Sequence, residues 1–129
     1  MENTQINISV VEDQPEVRDS LCDLLRLSKR FAGLNAYASA EDLFSDPALD
    51  QTSLCILDIG LPGMNGWEVL ERLKLEDHAG DFPIIVLTAA GDPVNRLIGK
   101  LQERVKRYIV KPYSIEELST AVREVLEIG

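Results

Sequence analysis

Five polar side chains stand where apolar, strand-like runs of this chain end: Glu12, Asp13, Asp58, Thr88 and Lys111. A carboxylate is costly to bury, so each acid must reach water or find a partner. Two unit charges roughly 4 Å apart interact by about 4 kcal/mol at an effective dielectric of about 20, so crowded carboxylates require a cation. If folding brings these residues together, we expect an acidic cation site with an ammonium group beside it.

A divalent metal ion and Lys111 could together neutralise these acids. Lys111 offsets one charge, while Asp13, Asp58 and the backbone carbonyl of Gly60 offer the oxygen ligands that hard cations prefer. Mg²⁺ fits better than Ca²⁺ because few protein ligands are available and Mg²⁺ keeps several waters. In the alternative reading the acids only cap the helices that follow them, but a helix cap needs no ammonium.

The elements that must position these residues alternate along the chain. Strands are predicted over residues 6–11, 31–38, 53–59, 83–88 and 107–110, and helices over about 15–29, 40–49, 67–75, 93–105 and 115–128. Each gap between strands is long enough for a crossover, so we expect alternating βα units and a parallel sheet. Ligands bind outside the carboxyl ends of the strands in such sheets, which is where the five polar residues stand.

Local signals refine these boundaries. Pro15 suits a first helical position, Ser39 suits a helix N-cap, and Ser114 to Glu117 fits a capping box. The alternating second strand suggests a sheet edge, and the almost wholly apolar third strand suggests burial on both faces. Val105 is a possible last apolar residue of the fourth helix.

Composition limits the classes of protein that fit. The 129 residues suit a single domain, 1–129, with no output domain. A net charge of −9 argues against binding to nucleic acid or an anionic membrane, since both need a basic surface. No signal peptide or membrane span is visible, so a cytoplasmic location is expected. Cys22 and Cys55 are expected to be reduced, buried thiols.

The ordered set of motifs resembles the response regulator receiver domain of two-component signalling, over essentially the whole chain. The matching motifs are Glu12-Asp13, the segment from Asp58 to Gly66, Thr88-Ala89, Tyr108 and Lys111-Pro112. The resemblance implies an α/β fold: a flavodoxin-like, doubly wound (βα)5 arrangement whose five-stranded parallel sheet has the order 2-1-3-4-5.

The same resemblance implies that Asp58 accepts a phosphoryl group from a histidine kinase or histidine phosphotransfer protein. Mg²⁺ would be held by Asp13, Asp58 and the Gly60 carbonyl, with Glu12 acting through water. Lys111 would neutralise charge on the transferring oxygens. The protein would then be a signalling phosphoacceptor that dephosphorylates itself slowly, rather than an enzyme in the ordinary sense.

The resemblance also implies that further residues take part in a conformational switch. Thr88 would move to hydrogen-bond the phosphoryl group, the Ala89 backbone would contact that group, and Tyr108 would rotate inward. The Lys111–Pro112 peptide bond would be cis. The alternatives that stay open are a Thr88 hydroxyl at an exposed strand end and a Tyr108 ring half-packed on the sheet.

Some positions depart from the family pattern. Gly60 and Ala90 are small where the family tunes attack of water on the phosphoaspartate, so its lifetime stays open. Arg104-Val105 replaces a frequent Gly-Ala pair before the fifth strand, which suggests a longer fourth helix or a more basic signalling face. That face, made of the fourth helix, fifth strand and fifth helix, would bind an unknown downstream protein, the chain being a monomer or weak dimer.

The sequence argues against two rival functions and leaves a third open. A haloacid-dehalogenase type phosphatase needs a second Asp two residues after its nucleophile, where this chain has Gly60. A flavodoxin-like flavin protein needs a Ser/Thr-rich phosphate loop after the first strand, which is missing here. A receiver-like adaptor that works without phosphorylation remains an alternative.

His78 is expected to be solvated, and Trp67 fluorescence is expected to respond to ligands at Asp58.

Overall fold

The computed structural model of the protein describes residues 6–26, 31–59, 68–69, 71–72, 82–89 and 105–128. Its strands are β1 (Ile6–Val11), β2 (Phe31–Tyr37), β3 (Leu54–Asp58), β4 (Ile84–Ala89) and β5 (Val105–Lys111). Its helices include α1 (Pro15–Arg26), α2 (Ala40–Ser45), a 3₁₀ helix (Pro47–Gln51) and the C-terminal helix (Ile115–Ile128). Residues 68–69 and 71–72 are also helical. All five predicted strands are confirmed, with small differences at their ends.

The five strands form one parallel sheet in the order β2-β1-β3-β4-β5. This order confirms the predicted doubly wound fold and the predicted edge position of β2. Every residue of β3 is buried, as its unbroken apolar sequence predicts. Because all five strands run the same way, their carboxyl ends lie together. They form one edge of the sheet, which runs across the strands and is distinct from the outer strand β2.

Alternate residues of each strand supply two hydrophobic clusters, one on each face of the sheet. Leu54 and Ile56 join the cluster that α1 and the C-terminal helix cover, while Cys55 and Leu57 join the cluster that α2 covers. Full burial of one such aliphatic side chain stabilises a fold by about 1.5–3 kcal/mol. The two-residue repeat of the strands therefore places helices on both faces. Cys22 and Cys55 are buried and are not joined in a disulfide, as expected.

Helix α2 is shorter than predicted. It ends at Ser45 instead of reaching residue 49, because Asp46 takes an extended conformation with φ −96° and ψ 121°. Pro47 explains the break, since a proline disfavours helical geometry in the residue before it. The chain then resumes as the 3₁₀ helix.

The possible placement of Val105 at the end of the fourth helix is wrong, because Val105 begins β5. Val105 pairs with Ile84 and Arg107 pairs with Ile85, so Lys106 is an extra residue on β5. This bulge lets the β-branched Val105 pack against the cluster on the α2 face. The proposed extension of the fourth helix therefore does not include Val105.

The predicted caps are supported by hydrogen bonds. The Asp42 amide donates to Ser39 Oγ at 3.1 Å, and the Glu117 amide donates to Ser114 Oγ at 3.0 Å.

None of the helices within the described ranges has the length and apolar character that a membrane span needs. Other predictions lie outside the described residues: helix 1 beyond Arg26, most of helices 3 and 4, and the expectations for Gly60, Trp67, His78, Ala90 and Arg104.

Asn7 organises the opposite end of the sheet. Its amide donates to Ser53 Oγ at 3.1 Å, and its side-chain Nδ2 donates to the Gln51 carbonyl at 3.2 Å. The neighbouring strand provides Gly33, where an added Cβ would stand 2.4 Å from Asn7 Oδ1. A side chain larger than that of glycine at this position would therefore make the Asn7 side chain move.

Candidate functional site

The sheet brings the predicted site residues to one edge. Asp58 ends β3 and pairs with Leu87 of β4, and Ala89 at the end of β4 pairs with Lys111 at the end of β5. Glu12 directly follows β1, and its amide extends the ladder by donating to the Tyr37 carbonyl at 3.0 Å. Parallel register therefore joins groups that are far apart in sequence.

Three carboxylates form the centre of this edge. Glu12, Asp13 and Asp58 each contribute an oxygen, and these oxygens all lie within 4.8 Å of one another. Glu12 is 0% exposed and Asp58 5% exposed, while Asp13 is half-buried. Such a set of oxygen donors fits a small, hard cation, and the mutual repulsion of the acids favours binding one. These three residues could hold Mg²⁺.

Lys111 contacts two of the three acids. Its Nζ donates to Asp58 Oδ2 at 3.0 Å and to Glu12 Oε1 at 3.4 Å. One ammonium thus joins a carboxylate that follows β1 to a carboxylate on β3. Helix capping alone does not account for this bridge, although one Glu12 oxygen does accept the Gln14 amide at 3.1 Å.

The ionisation of this cluster reflects its burial. Burial raises the pKa of Glu12 to about 7, and the neighbouring charge of Asp58 adds to the rise. The Gln14 amide and the Lys111 ammonium act in the lowering direction. For Lys111, burial disfavours the charged form, but hydrogen bonds and charge from Asp58 and Glu12 outweigh it and raise the pKa. The ammonium is therefore retained between the acids.

Thr88 and Tyr108 lie on neighbouring strands. Thr88 is half-buried and pairs with Val110, next to the Ala89–Lys111 pair. Tyr108 is half-buried and packs against the hydrophobic cluster on the α2 face. Its hydroxyl is buried without a hydrogen-bond partner among the described residues, and burial raises its pKa.

The peptide bond between Lys111 and Pro112 is cis, the isomer that the resemblance implies. The expected metal ligand at the Gly60 carbonyl lies outside the described residues. Of the other predicted site residues, Tyr108 lies in the middle of β5 and the rest lie at the carboxyl end of the sheet.

Arg18 is a site neighbour that the sequence analysis missed. Its Nη1 donates to the Glu12 carbonyl at 2.9 Å. In the sequence Arg18 looks like any charged residue of an amphipathic helix, and no spacing rule separates it from Arg26. Its contact with the acidic pair depends on how α1 leaves the end of β1.

Comparison with known proteins identifies a family. The family model of the response regulator receiver domain matches residues 8–123. The phosphate regulon transcriptional regulatory protein PhoB of Escherichia coli (strain K12) is 35% identical over 121 residues, which cover 92% of this chain and 51% of that protein. Hybrid signal transduction histidine kinase D of Dictyostelium discoideum is 35% identical over 115 residues, covering 89% of this chain and 7% of that protein. The chain spans about half the length of the curated PhoB relatives that it matches.

Solved structures show the same fold. The signal receiver domain of an HD domain-containing protein from Pseudomonas fluorescens Pf-5 superposes with a TM-score of 0.84 at 25% identity, covering 96% of each chain. A CheY-like receiver domain protein from Methanospirillum hungatei JF-1 superposes with a TM-score of 0.81 at 24% identity, covering 96% of this chain and 95% of that chain.

Proposed function

The chain belongs to the response regulator receiver domain family of two-component signalling, and on that premise we propose that Asp58 accepts a phosphoryl group from a histidine kinase or histidine phosphotransfer protein. One observation carries the proposal: Lys111 Nζ lies 3.0 Å from Asp58 Oδ2, within a cluster of three carboxylates. An ammonium held beside a buried carboxylate is suited to balance charge that arrives there.

The transfer is a displacement at phosphorus. A carboxylate oxygen of Asp58 attacks the phosphorus of a phosphohistidine, the phosphorus–nitrogen bond breaks, and its electron pair stays on the imidazole nitrogen of the donor. Lys111 balances charge on the transferring oxygens, and Asp13 and Asp58 would hold Mg²⁺ directly while Glu12 would hold it through water. When bound, Mg²⁺ supplies further neutralisation of the phosphoryl oxygens. Because such reactions depend mainly on positioning and electrostatics, the prearranged edge is the protein's main contribution.

The switch follows from the added charge. A phosphoryl group on Asp58 adds roughly 1.5–2 negative charges at neutral pH. We assign the Thr88 hydroxyl and the Ala89 backbone to contact this group, because both stand at the end of β4 beside Lys111. Tyr108, half-buried on the neighbouring strand, responds when Thr88 moves. The Gly60 carbonyl remains the proposed third direct oxygen ligand for the metal, beside Asp13 and Asp58, with Glu12 acting through water.

A protein-binding face would transmit the signal to a downstream protein. We assign it to the predicted fourth helix, β5 and the C-terminal helix, where Val110 is 38% exposed and Arg107 forms an ion pair with Glu124. PhoB is a transcriptional regulator by name; for this chain the proposed partners are a kinase or phosphotransfer protein and a downstream protein. We also propose that the protein is cytoplasmic, that it is a monomer or weak dimer, and that it dephosphorylates itself slowly.

Intact-mass spectrometry tests the phosphoacceptor. The protein is incubated with Mg²⁺ and acetyl phosphate, and the wild type is expected to gain one phosphoryl group. Asp58→Asn keeps the side-chain shape but removes the nucleophilic carboxylate, so it should gain none, and circular dichroism checks that it is folded. A wild type that stays unmodified, or an Asp58→Asn variant modified equally well, contradicts the proposal. The first of these outcomes would favour the phosphorylation-independent adaptor.

A further inference from the structure

Arg18 holds the main chain at the acidic pair. Its Nη1 donates to the Glu12 carbonyl at 2.9 Å, while the Glu12 amide donates to the Tyr37 carbonyl at 3.0 Å. Both polar groups of the Glu12 backbone are therefore bonded, one to α1 and one to the end of β2. The carbonyl lies beyond the last residue of β1, where the strand ladder no longer fixes it.

The orientation of this carbonyl restricts where the Asp13 side chain can point. The Glu12 carbonyl belongs to the planar peptide unit that ends at the Asp13 Cα atom. A hydrogen bond that fixes the carbonyl therefore restricts the direction in which the Asp13 side chain leaves the backbone. Among the described residues, no hydrogen bond or ion pair to the Asp13 carboxylate is found. Its place in the carboxylate cluster thus depends on the backbone that carries it.

We propose that Arg18 is a positioning residue for the metal site: through the Glu12–Asp13 peptide it holds the Asp13 carboxylate within reach of the other two acids. The inference rests on the proposed function for the identity of the cation, Mg²⁺, and it adds a residue that acts through the backbone of the acidic pair. The Arg18 guanidinium acts by donating a hydrogen bond to a backbone carbonyl, so the site depends on this hydrogen bond rather than on the charge of Arg18.

The size of the effect follows from comparable outer-shell contacts. Residues that orient metal ligands typically change metal affinity by about 10- to 100-fold when they are replaced. Water can satisfy the Glu12 carbonyl after Arg18 is removed, but water does not restrict the peptide plane. We therefore expect the peptide to rotate and Asp13 to sample positions outside the cluster.

A titration with MgCl₂, followed through amide chemical shifts, measures the affinity directly. Arg18→Gln is expected to weaken Mg²⁺ binding about tenfold or more. Arg26→Gln is the matched control, because it removes the same charge from the same helix at an exposed residue that pairs with Asp23. Arg18→Lys keeps a donor that can reach the carbonyl, so it should recover part of the affinity.

Thermal unfolding in EDTA separates positioning from general stability. A purely structural role would lower the unfolding midpoint of Arg18→Gln and leave its Mg²⁺ affinity equal to that of Arg26→Gln, which would overturn the inference. Equal losses for Arg18→Gln and Arg18→Lys would also overturn it. If Arg18→Gln does not fold, Arg18→Lys is compared with Arg26→Gln: weaker binding supports the inference and equal binding contradicts it.

The failure of the inference is distinguishable from failure of the proposed function. Adduct formation on Asp58 is measured by mass on the wild type, whereas the inference is tested by Mg²⁺ affinity without a phosphodonor. A wild type that binds Mg²⁺ but forms no adduct contradicts the phosphoacceptor role alone. A wild type that forms the adduct while Arg18→Gln binds Mg²⁺ normally contradicts the role of Arg18 alone.

Discussion

Lys111 Nζ lies 3.0 Å from Asp58 Oδ2 although 53 residues separate the two in sequence. The same nitrogen lies 3.4 Å from Glu12 Oε1, across a separation of 99 residues. A single ammonium from β5 thus neutralises part of a carboxylate cluster whose members follow β1 or end β3. This bridge means that metal binding and phosphoryl transfer should depend on Lys111 in opposite ways.

Lys111→Met should separate those two properties. Without the ammonium the acids repel more strongly, so Mg²⁺ should bind more tightly, while adduct formation should slow by about 10²-fold because charge on the transferring oxygens is less well balanced. Amide shifts report the affinity, and the rate of mass gain from acetyl phosphate reports the transfer. Lys106→Met, at an exposed position on the same strand, is the control and should change neither. An unchanged transfer rate in Lys111→Met would argue against the proposed role.

The raised pKa of Glu12 predicts a pH-dependent stability in the metal-free protein. Burial moves this pKa from 4.5 to about 7 in the folded state. The folded protein therefore binds a proton that the unfolded chain releases, and this contribution to stability is fully present below pH 4.5 and lost as the pH rises through about 7.

Glu12→Gln tests that sign. The neutral amide mimics the protonated acid, so the variant should be more stable than the wild type near pH 8, and the gap should close as the pH falls toward about 5. Urea unfolding in EDTA at several pH values measures the difference. A gap that stays constant across this range would show that Glu12 does not titrate there. Saturating Mg²⁺ should reverse the order at high pH, because the metal favours the ionised carboxylate.

Two tyrosines allow a matched comparison of buried hydroxyl groups. The Tyr108 hydroxyl is buried without a partner in the described part of the chain, whereas the Tyr37 hydroxyl donates to Asp46 Oδ2 at 2.8 Å. Tyr108→Phe should therefore raise the free energy of unfolding by about 1 kcal/mol, and Tyr37→Phe should lower it by about 1 kcal/mol. Urea unfolding measures both changes. A loss of stability in Tyr108→Phe would show that its hydroxyl is satisfied in solution.

Gly33→Ala tests the close approach of β1 and β2. The new Cβ would lie 2.4 Å from Asn7 Oδ1, so the Asn7 side chain must move and weaken its exposed hydrogen bond to Gln51, at a cost of about 1 kcal/mol. Thermal unfolding reports the loss, and Mg²⁺ affinity should stay the same because this end of the sheet lies opposite the acids. In the double variant with Asn7→Ala the clash is absent, so the two losses should not add. Simple additivity would exclude the clash as the cause.

Much of the fold could be predicted because apolar runs and their polar ends are local properties. The burial of β3 follows from its unbroken apolar sequence, and the edge position of β2 from its alternation. One error was local, because Pro47 ends α2 early through its effect on the residue before it. The other error arose where tertiary packing overrides a local pattern, because Val105 fits a helical periodicity but packs as part of β5.

By itself the sequence determined which chemistry is possible at the site. Acids, a hydroxyl and an ammonium at the ends of neighbouring strands must meet at one edge of a parallel sheet, which predicts a site made of Glu12, Asp13, Asp58, Thr88 and Lys111. Only the tertiary structure decided how they are held. Register and helix packing place Lys111 between two acids, bring Arg18 to the Glu12 carbonyl, and bury Glu12 completely. These contacts join atoms whose separation depends on packing between elements, which a sequence pattern does not specify.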